Sequence, residues 1–300
     1  RIMAGRIPQV GRMSLTPMLS PQGKLWGDFT VSCLAEDAFQ ITASYGAQAI
    51  HQRWFEKNAA ADAHVDNISD RRTGFQIAGP RARDLLAACT RDDVAAMKFM
   101  DVRRMTVGQV ACIVQRVSYT GDLGYEIYCD AMDQRQLWWT LWEAGQPMGI
   151  TPFGMRAMMS LRLDKFFGAW LHEFSPDYTA AETGMDRFIS FKKNVDFIGR
   201  AEAEAERATP PARTAAVFEV DADDADVVAY EPVFIDGQVQ GFCTSGGYSH
   251  HRNKSIALAL IPRDADHPDL EVEIEIMGQM RKAKRLTTPL YDPDGAVMRG

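Results

Sequence analysis

Residues 110–128, VACIVQRVSYTGDLGYEIY, decide how the chain is read. Val110 to Val117 is β-branched and almost wholly apolar, the composition of a strand buried along most of its length. Tyr119, Thr120 and Gly121 mark a turn, and Gly124 to Tyr128 continue as a second strand. Upstream, polarity alternates from Leu25 to Cys33. Phe29, Val31 and Cys33 fall on one face and Asp28, Thr30 and Ser32 on the other, which predicts a strand with one side in a core. Between the two lie a helix over residues 46–57, with Ile50, Trp54 and Phe55 at helical spacing, and a second with Pro80 at its first position, running through Leu85 and Leu86. Downstream come helices over 133–144, carrying Leu137, Trp138, Leu141 and Trp142, and over 153–163. A further helix ends in AEAEAERA, where Pro210-Pro211 forbids continuation. Beyond it the pattern predicts strands at 215–220, 232–235, 239–244, 255–261, 272–276 and 280–286. Asp236-Gly237 and a turn near Gly278 make tight hairpin connections. The expectation is an α+β chain divided at residues 208/209, ending in a small all-β barrel or sandwich.

Composition excludes several classes of function. The 300 residues carry 40 acidic and 33 basic side chains, a formal charge of −7. With no basic run, a nucleic-acid backbone is not an expected partner. No apolar stretch approaches the roughly 20 residues that cross a bilayer, and the first ten residues lack the apolar core of a secretion signal. Cys33, Cys89, Cys112, Cys129 and Cys243 are odd in number and include no C-x-x-C pair, which points to a reducing, cytoplasmic setting. No G-x-G-x-x-G follows a strand and no G-x-x-x-x-G-K-[ST] occurs, so neither flavin nor NAD is expected in this chain. His250 and His251, adjacent in a strand, point to opposite faces with no third ligand placed, so no metal site is expected. Met155, Met158 and Met159 read as core, and Lys192, Lys193 and Arg200 as a solvated basic face.

Two acidic residues stand apart. Glu126 has Tyr125, Ile127 and Tyr128 as sequence neighbours, which predicts an apolar setting for its carboxylate. A buried carboxylate needs donors. They could come from a planar ligand with two parallel N–H groups, such as a pterin's amino-pyrimidinone edge, or from an internal ion pair, with Arg116 the obvious candidate. Asp28 lies mid-strand, where aspartate is disfavoured. An exposed sheet edge, or a turn start after Gly27, would explain it structurally; a functional role would explain it otherwise.

SYTGDLGYEIY resembles the signature of the folate-dependent aminomethyltransferase superfamily, the glycine-cleavage T-protein and its relatives. Further stretches resemble family segments in the same order: GRMSLTPMLSPQGKLWGDFTV, FQIAGPRARDLL, MRAMMSLRLDKFFGAWLHE, FKKNVDFIGR and GFCTSGGYSHHRNKSIALALIP. TPMLSPQGKLWGDFTV, the W-x-x-E from Trp170 to Glu173 and the closing PLYDPDGAVMRG look most like the C-terminal folate-binding domain of dimethylglycine and sarcosine dehydrogenases. Met158 stands where T-proteins have a folate-engaging arginine, which favours that dehydrogenase-type branch; Ala180 stands where relatives usually have proline.

The resemblance implies a three-lobed ring of two mixed α/β lobes and a C-terminal β-barrel. Residues 1–208 would form the folate-binding part, its first lobe truncated at the N-terminus, and residues 209–300 the barrel. It also implies tetrahydrofolate as cofactor. By motif, Asp28 matches the catalytic aspartate near folate N10, Glu126 the pterin-binding glutamate and Tyr119 the tyrosine that begins the same loop; Tyr128, Thr30 and Tyr291 complete the expected cofactor site. The implied reaction captures formaldehyde or a methylene-iminium unit from a small methylated amine, giving 5,10-methylene-tetrahydrofolate. A flavin-dependent oxidase or dehydrogenase, as a domain or subunit, is the implied partner. The alternatives are a folate-dependent O- or S-demethylase and a non-catalytic folate-binding assembly protein.

Overall fold

The computed structural model describes all 300 residues, Arg1–Gly300. Strands β1 (Met13–Leu19), β2 (Leu25–Ala35) and β3 (Ala38–Thr42) form one sheet in that order, so β2 is its central strand. Then come α1 (Gln48–Asn58), β4 (Arg72–Ala78), α2 (Ala82–Cys89), β5 (Val102–Val107), β6 (Val110–Gln115), β7 (Gly124–Asp130) and α3 (Gln134–Gly145). The rest of the chain runs through α4 (Met155–Leu161), α5 (Arg200–Ala208), β8 (Arg213–Val220), β9 (Pro232–Ile235), β10 (Gln238–Ser249), β11 (Lys254–Pro262), β12 (Glu271–Ile276), β13 (Gln279–Leu286) and α6 (Ala296–Arg299). The chain divides into two compact units. One comprises residues 1–6, 16–28 and 155–293; the other comprises residues 7–15, 29–154 and 294–300.

The unit centred on residues 29–154 contains an antiparallel four-stranded sheet in the order β4-β7-β6-β5. One sheet face, carrying Val110, Cys112 and Val114 of β6 with Tyr125 and Ile127 of β7, packs against Leu85 and Leu86 of α2 and Leu137 and Leu141 of α3. Two-residue alternation along each strand is what assembles that apolar face.

The other unit contains a closed six-stranded barrel in the order β10-β11-β8-β13-β12-β9. Its interior is filled by Phe218, Val233, Cys243, Ala257 and Ile274. The continuous apolar run of β11 follows from burial on both faces. Ala257, Ala259 and Ile261 face the barrel interior, while Ile256 and Leu258 pack with Leu163. Asp236 and Gly237 (φ +53° and +75°) close the β9–β10 hairpin, and Met277 and Gly278 (φ +52° and +78°) close β12–β13. Two successive left-handed residues match the twist of paired strands, and glycine takes the second position without strain. A second core in the same unit joins Leu19, Leu25, Phe174 and Phe197 to Ala203 of α5.

All six barrel strands fall where the alternation placed them. β1, β3, β4 and β5 are additional strands the pattern did not indicate. Pro80 precedes α2 rather than opening it, after Gly79 at φ +122°. The buried positions of α1 are His51 and Phe55, and Ile50 is exposed. The expected helix over 153–163 is shorter, and its methionines are not core: Met155 is 67% exposed, and full burial begins only at Arg162, just past the end of α4. All five cysteines are free and buried, and burial pushes the Cys112 thiol up to about 12. No helix is long and apolar enough to cross a membrane.

Ile274 is fully buried in the barrel. Ile274→Ala should cost about 2–5 kcal/mol, read as a lower denaturation midpoint in urea.

Candidate functional site

Glu126 lies on the face of the four-stranded sheet opposite α2 and α3. Its sequence neighbours Tyr125 and Ile127 point into the helix-covered core, because side chains alternate along a strand. Its spatial neighbours are polar. Gln76 of β4 and Gln115 of β6 are its cross-strand partners. Gln76 Nε2 donates to Glu126 Oε1 at 3.3 Å, and the Tyr128 hydroxyl donates to Oε2 at 2.7 Å. Gly74 lies opposite Tyr128, and a Cβ there would sit 2.8 Å from the phenol ring, so the missing side chain is what admits the ring. Thr42 of β3 opposes the rise in the phenol's pKa. Gln115 is fully buried and donates through Nε2 to Ser32 Oγ at 3.0 Å. The Oε1 atoms of Gln76 and Gln115 are buried without a hydrogen-bond partner.

The ion pair between Arg116 and Glu126 that the sequence allowed does not form. Arg116 is one residue past Gln115 and points the other way; its Nη1 donates to Gly124 O at 3.3 Å and Met298 O at 3.0 Å, with the guanidinium 5.2 Å from the Tyr125 ring centroid. Desolvation raises the Glu126 carboxyl above its ordinary range, opposed by the Tyr128 hydrogen bond. Burial first, and then the adjacent carboxylate, push the Tyr128 phenol well above its ordinary value. Tyr119 is half-buried in the loop between β6 and β7, where Ser118 Oγ and Thr120 Oγ1 lie 2.8 Å apart.

β2 is the central strand of its sheet, but its pairing with β3 begins at Thr30, so Asp28 lies beyond the end of β3. Asp28, Thr30 and Ser32 share one face of β2, and Thr30 lies opposite Thr42. Desolvation pushes the Asp28 carboxyl up to about 6, offset in part by its own backbone N–H, with no cationic side chain contributing. The structure places Glu126, Tyr128 and the Thr30–Thr42 pair within one unit, and Asp28 at the end of a segment of the other. Tyr291 lies in the barrel-containing unit, its ring centroid 4.2 Å from that of His251, and His251 Nδ1 is 3.1 Å from Asp164 Oδ2. Lys193 and Arg200 do not form a solvated basic face. Lys193 Nζ donates to Met3 O, and Arg200 Nη2 donates to Phe191 O at 2.9 Å. Gln76, Gln115 and Thr42 carry little mark of a site in the sequence; the one available signal is a glutamine closing the apolar run ACIVQ.

Residues 1–193 match the family model described as the GCVT N-terminal domain, and residues 213–292 match the glycine cleavage T-protein C-terminal barrel domain. The chain belongs to the glycine cleavage T-protein family. Among its relatives, human mitochondrial dimethylglycine dehydrogenase is 33% identical over 294 residues, covering 96% of this chain and 34% of that protein. The chain therefore spans about a third of the length of that relative. An aminomethyltransferase of Geobacillus sp. is 30% identical over 282 residues, covering 94% of this chain and 77% of the relative. The fold matches the glycine cleavage system aminomethyltransferase T of Bartonella henselae with a TM-score of 0.86 at 21% identity, over 96% of this chain and 78% of that one.

A carboxyl whose folded value lies near 6, against an ordinary 3.8, favours the protonated form in the folded state. Its charge therefore costs stability increasingly as pH rises from about 4 to 6, and fully above that. Asp28→Asn should raise Tm at pH 8 by roughly 2–4 °C, with the gain vanishing toward pH 4, as followed by thermal denaturation across pH.

Proposed function

We propose that this chain is a tetrahydrofolate-dependent one-carbon transferase, capturing formaldehyde or a methylene-iminium unit from a small N-methylated amine to give 5,10-methylene-tetrahydrofolate. The observation that carries this is Glu126, a desolvated carboxylate with no cation, in a row with two buried acceptors that lack donors. A carboxylate accepts about four hydrogen bonds. Tyr128 and Gln76 supply two, so the row has acceptors to spare and suits a donor-rich ligand edge. A pterin's amino-pyrimidinone edge offers two parallel N–H groups to both oxygens.

Reduced folate supplies the nucleophilic N10 amine. Before transfer the charge of Asp28 stabilises the cationic one-carbon unit. Asp28 then accepts the proton which the N10 amine sheds and returns it to the departing oxygen or amine, which leaves as water or as the demethylated amine. A carboxyl near 6 is largely ionised at neutral pH yet basic enough to hold a proton transiently. Glu126 and Tyr128 hold the pterin in register, so that proximity supplies part of the acceleration. Thr30 lies on the same strand face as Asp28 and is assigned to the cofactor site with Tyr119 and Tyr291. Residues 1–208 are assigned to the folate-binding part and 209–300 to the barrel. The relatives named dimethylglycine dehydrogenase support a methylated amine as the donor and a flavin-dependent dehydrogenase domain or subunit as its source.

Titration with tetrahydrofolate by tryptophan fluorescence, followed by formaldehyde, tests this, with product formation measured against the uncatalysed rate. Glu126→Ala should weaken folate binding about 10–100-fold. Asp28→Asn should keep the Kd within about twofold and lower the catalysed rate by roughly 10²-fold or more. Unchanged turnover in Asp28→Asn contradicts the acid–base role, and 5-methyl-tetrahydrofolate as product would indicate methyl transfer instead.

A further inference from the structure

We infer that Glu173 is a positioning residue for Asp28, acting through the loop that braces the start of β2. This rests on the proposed role of Asp28, and every contact involved lies within the barrel-containing unit. Glu173 is almost fully buried and collects four donors. Arg162 Nη1 and Ala169 N reach Oε2 at 2.8 and 3.0 Å, while Thr244 Oγ1 at 2.6 Å and Ser245 Oγ reach Oε1. These donors come from three separate places: the turn after α4, the loop itself and barrel strand β10. One carboxylate therefore fixes the loop to the barrel wall. The carboxylate is fully supplied, although Arg162 Nε has no partner, and removing one member of a buried ion pair is costly.

The loop passes that fixity on to β2. Phe174 N donates to Ala169 O at 3.1 Å, and the Phe174 ring packs in one cluster with Leu19 and Leu25. A Cβ on Gly168 would overlap that ring, so the loop closes on Phe174 only because residue 168 is glycine. Leu25 N then donates to Tyr178 O at 2.8 Å, and Lys24 forms an antiparallel bridge with Thr179. Leu25 opens β2, three residues before Asp28, and an extended strand transmits a displacement along its length. Loosening Glu173 shifts the Asp28 carboxylate without touching the residues assigned to the pterin, so it lowers turnover rather than binding.

The test compares kcat and the KM for tetrahydrofolate in Glu173→Gln and in the milder Ser245→Ala, at a temperature where both are folded. The expected result is a kcat at least tenfold lower in Glu173→Gln and lowered to a lesser degree in Ser245→Ala, with KM within about twofold and partial recovery of kcat in Glu173→Asp. Arg285→Gln is the stability control: it breaks the barrel pair in which Arg285 Nε meets Asp266 Oδ1 at 2.6 Å, and should lower Tm while leaving kcat unchanged. If Ser245→Ala and Glu173→Gln lower Tm with kcat unchanged, the positioning role is overturned while the catalytic assignment stands. If Asp28→Asn itself retains turnover, the proposed function fails regardless of Glu173.

Discussion

A half-buried carboxylate with no cation beside it is the constraint around which this structure is arranged. Glu126 and Asp28 both have raised carboxyl pKa values, with desolvation as the largest cause. Burial also raises the carboxyls of Glu206 and Glu231, while other acids of the chain are well supplied with donors. Glu173 has four donors, and Asp101 accepts from Lys98 N at 2.8 Å while pairing with Arg12. A fold that can supply donors to buried acids leaves Glu126 and Asp28 short of them, at a cost to its own stability.

Arg116 shows how Glu126 is kept without a cation. It is fully buried one residue from Gln115, yet alternation along the chain turns it away from Glu126 and onto two backbone carbonyls. Pleating alone separates the positive and negative side chains. Gly74 then admits the Tyr128 ring, whose hydroxyl fixes one oxygen of Glu126 while leaving acceptor capacity on both.

Much of the fold was legible in the sequence. The barrel strands were readable because each is apolar or alternating and the turns carry their own residue chemistry, as at Asp236-Gly237. β4 escaped although its core-facing Phe75 and Ile77 alternate with Gly74 and Gln76, because the pattern spans only a few residues and contains a glycine. Asp28 and Glu126 could be singled out as unusual, but their surroundings could not be read directly. The sequence neighbours of Glu126 are apolar while its spatial neighbours are glutamines and a tyrosine from other positions, and cross-strand register is not visible in a linear pattern. The α4 methionines misled for a related reason: helical spacing marks a shared face without saying whether anything covers it.

The most direct measurement is a crystal structure of the chain with a stable reduced folate bound. The pterin's ring N–H and exocyclic amino group should lie within about 3.2 Å of the two Glu126 oxygens, with Asp28 the carboxylate nearest N10. A pteridine seated away from Glu126, or an Arg116 guanidinium turned onto that carboxylate, would contradict the assignment.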